Sequence, residues 1–86
     1  MSESREARLK RLKIRSMRRG IKEMDLILGA FADARLNKLT GGQLVLYDAL
    51  LGENDHDLYQ WVTGQLPVPE RFFDLIGEIA GDMRSR

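Results

Sequence analysis

Few residues of this chain could carry chemistry. His56 is the single histidine, set between Asp55 and Asp57. A metal site needs several ligands and a general base needs a reacting proton within reach, and no spacing here supplies either. His56 therefore reads as a solvated residue in the first turn of a short helix, with Asp55 and Asp57 as capping residues. The absence of cysteine excludes disulfides, thiolate metal ligands and cysteine nucleophiles. Gly41 and Gly42 follow no strand and belong to no phosphate-cradling pattern. No catalytic, metal-ligating or cofactor-binding residue is assigned, and the chain is not expected to be an enzyme.

A different kind of cluster runs from Arg18 to Asp25, where Arg18, Arg19, Gly20, Lys22, Glu23 and Asp25 place both signs of charge around one glycine. Glycine between two helices permits a tight corner that a side chain would obstruct. Arg19 before it and Glu23 after it are then expected side by side on the outside. A guanidinium binds carboxylates bidentately, and a glutamate accepts from a partner's arginine or backbone N–H. Recognition of a partner and a plain helix corner with a local Arg–Glu pair of little energetic value are both compatible with this pattern.

The elements that must position this corner are helical. Two prolines, little β-branching and no sustained alternation point to an all-α fold, a compact single-domain bundle of about five helices over residues 1–86. The first helix is expected over Arg5 to Arg18, with Leu9, Leu12, Ile14 and Met17 as its apolar stripe. The second carries Ile21, Met24, Ile27, Leu28, Phe31 and Ala34 and runs to about Asn37. Thr40 is placed as the N-cap of a third helix burying Leu44, Tyr47, Leu50 and Leu51, with Gly52 at its end. A short fourth helix from Asp55 buries Leu58, Trp61 and Val62 and stops at Gly64. Pro69 opens the last, which buries Phe72, Leu75, Ile76, Ile79 and Met83. The aromatic residues are read as core, Tyr59 and Phe73 being the least fixed of them. Gly77 and Gly81 inside the last helix imply either close approach of a neighbouring helix or looseness, and residues 1–7 and 84–86 are expected to fray.

Charge is unevenly spread. Residues 1–22 hold nine cations against Glu3 and Glu6, an excess of +7, so the remainder carries −6. That division suggests a basic surface at one end for an acidic partner. No run is long and apolar enough to insert in a membrane. The N-terminal arginines would suit a mitochondrial leader, but Glu3, Glu6 and the direct run into the first helix argue against one. The bacterial cytoplasm is the expected location.

The run Arg15-Ser16-Met17-Arg18-Arg19-Gly20-Ile21-Lys22-Glu23-Met24-Asp25, followed by Leu28 and Phe31, resembles the RGxxE signature region of the succinate dehydrogenase flavinylation factors. A second block, Leu50 to Gly64, is similar to that family's pattern of two leucines, an acidic ND-x-D-L and Y-x-W. The resemblance covers about Arg8 to Phe73. It implies a five-helix assembly factor that binds the flavoprotein subunit of succinate dehydrogenase, with that of fumarate reductase as a second client. It also implies promotion of covalent linkage between a client histidine and the 8α-methyl of FAD. Arg19, Gly20 and Glu23 would be the signature contacts, flanked by Arg18 and Asp25, with Tyr59 and Trp61 from the second block. The FAD would be carried by the client, with none held stably by this chain.

The alternatives are a small basic helical DNA-binding protein and a generic interaction module. A DNA reading would use the cationic first helix against phosphates. No helix-turn-helix spacing accompanies it, and the −6 of the remainder would repel a duplex.

Overall fold

A computed structural model describes residues 3–85. Among them lie five α-helices: α1 (Arg5–Met17), α2 (Lys22–Arg35), α3 (Gly41–Leu51), α4 (Asp55–Val62) and α5 (Phe73–Arg84). Short 3₁₀ turns, Leu36–Lys38 and Glu70–Phe72, precede α3 and α5. The all-α expectation holds, with no strand among the described residues. Met1, Ser2 and Arg86, where part of the expected fraying falls, lie outside those residues. Within them, Ser4 caps α1 by accepting from the Ala7 N–H at 3.1 Å.

Caps and breakers set the boundaries. Thr40 and Gln43 form a reciprocal capping box, the Thr40 hydroxyl accepting from Gln43 N–H at 3.2 Å and the Gln43 amide from Thr40 N–H at 2.8 Å. Asn54 caps α4 through His56 N–H at 2.8 Å. After α4, Gly64 adopts φ +80°, a left-handed conformation that lets Gln65 N–H return to the Gln60 carbonyl at 2.8 Å. Pro69 opens the 3₁₀ turn, its carbonyl accepting from Phe72 N–H at 2.9 Å, so α5 begins three residues later than a helix started at Glu70 would.

One core cluster joins all five helices, from Leu12 of α1 through Met24, Leu28 and Phe31 of α2, Leu44, Tyr47 and Leu50 of α3 and Leu58 of α4 to Ile79 of α5. Phe31 and Tyr47 stack tilted with centroids 5.8 Å apart, and Trp61 and Phe72 do the same at 6.1 Å. α1 and α2 run antiparallel, since Lys13 pairs with Asp33 at 2.9 Å while Met17 lies against Gly29.

Four core assignments are corrected. Ile14 and Met17 are each 53% exposed, and the face that α1 buries carries Leu9, Leu12 and Ser16. Steps of three and four residues keep to one face of a helix, whereas position 14 falls well round from 12. Ala34 is exposed and Ala32 is buried in its place, since Ala32 stands four residues after the buried Leu28 on the inward face of α2, while Ala34 falls well round from it. Phe73 is 64% exposed, the core position at the start of α5 being held by Phe72 alone.

Candidate functional site

Between α1 and α2 the chain turns over residues 18–21, and the first link in its geometry is Arg19. Its guanidinium points inward. Arg19 Nε and Nη2 donate to Asp55 Oδ1 at 2.7 and 2.6 Å, Nη1 donates to the Leu51 carbonyl at 2.8 Å, and Nη2 reaches the Glu53 carbonyl at 3.2 Å. The two side chains are only 10% and 13% exposed. The helical reason is direct: α3 ends at Leu51 with unpaired terminal carbonyls, and α4 starts at Asp55, so one planar fork satisfies both ends of the α3–α4 loop.

Backbone hydrogen bonds complete the corner. Arg19 N–H donates to the Asp25 carboxylate, and Gly20 N–H donates to Asp55 Oδ2. A Cβ at Gly20 would stand 3.2 Å from that same oxygen, so a side chain there would press on Asp55 and glycine suits the close approach. Gly20 does not adopt positive φ, and left-handed conformation is not the reason for it.

The expected pairing of Arg19 and Glu23 on the outside is therefore corrected. Arg19 is an internal strut. Glu23 stands exposed in the first turn of α2, near Lys22 and Arg18, which are exposed too. Asp25 is half-buried and engaged with the Arg19 backbone. Tyr59 is half-buried against the core, one turn beyond Asp55 on the same face of α4. Sequence reading missed Asp55 as the partner of Arg19; the signal was its place in the second acidic block, two blocks distant in sequence that meet in space.

Several cations of α1 are also committed to the fold. Arg5 donates to the Asn37 and Leu39 carbonyls at 3.1 and 2.8 Å. Arg11 grips Asp48 of α3 at 3.2 and 2.9 Å and Glu3 at 2.9 Å through each of two nitrogens, while Arg15 also pairs with Asp48. Hydrogen bonds from Arg11 hold the Glu3 and Asp48 carboxyls below their ordinary range, and those two carboxylates in turn raise Arg11. Arg11, Lys13, Arg15 and Arg19 thus pair with Asp48, Asp33 and Asp55 of the acidic remainder, while Lys10, Arg18 and Lys22 stay exposed at the basic end.

Behind the corner, Ser16 Oγ donates to the Leu12 carbonyl at 2.7 Å and lies 2.6 Å from Tyr47 Oη. The serine proton is used, so the phenol donates. Burial pushes the Tyr47 phenol up to about 12. Among the described residues no cluster could hold a metal ion, and no helix is long and apolar enough to cross a membrane.

Residues 10–82, which include the corner, its Asp55 anchor and all of the α3–α4 loop, match the model of a family described as flavinator of succinate dehydrogenase. The chain belongs to this family. Among its relatives, the mitochondrial succinate dehydrogenase assembly factor 2 of Candida glabrata is 45% identical over 75 residues, covering 84% of this chain and 49% of that protein. Those of Meyerozyma guilliermondii and Schizosaccharomyces pombe are 44% and 43% identical, over 84% and 81% of this chain and 56% and 50% of theirs. The chain spans about half the length of these relatives. Their mitochondrial descriptions, shared by a Dictyostelium discoideum relative 43% identical over 63 residues, overturn the expectation of a bacterial cytoplasmic protein. Within the matched residues, Arg19 and Gly20 build the corner, and Glu23 faces solvent.

Proposed function

We propose that the chain binds the flavoprotein subunit of succinate dehydrogenase through the α1–α2 corner and promotes covalent attachment of FAD to a histidine of that client. The observation that carries the reading is the division of labour at the corner. Arg19, Asp55 and Gly20 fix its backbone, and Arg18, Lys22 and Glu23 are left exposed around it. A preformed surface of mixed sign loses little entropy on docking and orients its partner by complementarity.

On this reading the client supplies the FAD and the nucleophilic histidine, and the chain is a positioning partner, not an enzyme. Holding the imidazole and the flavin 8α-methyl in near-attack geometry is worth several kcal/mol, on the order of 7 in favourable cases. Arg18 and Glu23 make charged contacts, Asp25 and Tyr59 support the surface from behind, and the flavoprotein subunit of fumarate reductase, whose reaction is the reverse one, is a second client. The proposal includes no nucleic-acid ligand, since Arg5, Arg11, Arg15 and Arg19 are engaged within the fold.

The test is covalent flavin on the succinate dehydrogenase flavoprotein, read by in-gel fluorescence in cells lacking this protein. Wild type restores it; Gly20→Arg and Glu23→Lys do not, and purified Glu23→Lys is as stable as wild type. Unchanged flavinylation throughout, or covalent FAD on the purified chain itself, would overturn the proposal.

A further inference from the structure

α5 contains Gly77 and Gly81 in its interior, each costing up to about 1 kcal/mol relative to alanine. Where glycine serves packing within this chain, at Gly20 and Gly29, an added Cβ would meet a neighbour at 3.2 or 3.4 Å. At Gly77 and Gly81 it would meet nothing within 4 Å. Among the described residues, no helix uses the closeness they offer.

Gly77 lies one turn after the exposed Phe73. The two line a groove of about 600 Å³ between α3 and α5, floored by Leu46 and Leu75. A second apolar depression, lined by Trp61, Val68 and Ile76, meets the same Phe73–Gly77 ridge from the α4 side. Asp74 and Glu78, four residues apart, border the groove on α5, and both are exposed. Neither forms an ion pair among the described residues. Asp74 suits the helix N-terminus, but Glu78 at mid-helix gains nothing from the dipole.

We propose that this α3–α5 groove docks an amphipathic, lysine- or arginine-flanked helix of a partner protein, at a site separate from the α1–α2 corner. Two features select the occupant. Glycine at position 77 lets a second helix backbone approach closely beside an aromatic anchor, and the acidic rim selects cations. A second copy of the chain is a poor fit, because its one strongly cationic helix has Arg11 and Arg15 already paired with Asp48.

The test uses the full chain and a fluorescent synthetic helix of about four turns, with leucines along one face and lysines on its flanks. Saturable binding is expected, with amide shifts in an NMR titration confined to Gln43, Leu46, Phe73 and Gly77. Gly77→Leu starts from a Cβ that meets nothing within 4 Å, fills the groove and weakens binding by at least about tenfold, with its melting temperature unchanged or raised. Asp74→Lys/Glu78→Lys loses the lysine peptide and gains its glutamate counterpart. Binding indifferent to Gly77→Leu, shifts centred on the corner, no binding, or self-association through this face in sedimentation would each overturn the proposal.

Discussion

Arg19 and Asp55, 36 residues apart in sequence, approach to 2.6 Å and form the most enclosed ion pair among the described residues. The pair ties the α1–α2 corner to the α3–α4 loop. Asp55→Ala removes the partner of a nearly buried guanidinium and the acceptor of Gly20 N–H together. We expect it to cost about 3 kcal/mol, a melting temperature lower by roughly 10–20 °C in thermal denaturation. Arg19→Lys will recover little of the Arg19→Ala loss, since an ammonium cannot reach Asp55 and two carbonyls in one plane. Recovery to wild type with lysine would show the contact to be mere charge.

Gly20 and Glu23 should separate in stability although both belong to the α1–α2 corner. Gly20→Ala presses a methyl toward Asp55 Oδ2, 3.2 Å from the ideal Cβ position, and should cost about 1 kcal/mol. Glu23→Ala, at an exposed position, should stay within about 0.5 kcal/mol of wild type while weakening the client complex in calorimetric titration by about tenfold. A destabilised Glu23→Ala would mean that the glutamate is also structural.

Ser16 and Tyr47 should respond unequally to truncation. Tyr47→Phe removes a donor and leaves only a spare serine lone pair, at about 1 kcal/mol. Ser16→Ala strands a buried phenol proton, at about 1–3 kcal/mol. Chemical denaturation of the two variants checks the order. Because the folded phenol is raised, its contribution to stability is complete below the unfolded value of about 10 and is lost as pH rises toward about 12. Absorbance titration should show Tyr47 ionising late, together with unfolding.

Acid should act through Glu3 and Asp48. Both carboxyls are held low by Arg11, so their contribution is present above the unfolded values, about 4, and is lost as pH falls through the lower folded ones. Stability against pH should fall from about pH 5 downward, and Asp48→Asn should flatten the curve, as should high salt. An unchanged acid limb in Asp48→Asn would place the sensitivity elsewhere.

Much of the fold was legible because helix signals are local. Thr40 and Asn54 cap where a short polar side chain precedes an apolar repeat, and Leu44, Tyr47, Leu50 and Leu51 are all buried as their spacing requires. The errors fell where locality fails. Ile14 and Met17 were assigned to the core for their hydrophobicity, yet the α1 face turned inward is defined by Leu12 and Ser16, and Ser16 is tolerable there only because Tyr47 arrives from 31 residues away.

The sequence by itself determined that five helices form, which polar residues cap α3 and α4, and that opposite charges are segregated along the chain, since all three are properties of neighbouring residues. Only the tertiary structure decided where those charges go. A guanidinium reaches a few ångströms, and its partner is chosen by which helix end the core brings within that reach. Packing places the start of α4 against the α1–α2 corner, and so turns Arg19 inward to Asp55 and leaves Glu23 to the solvent.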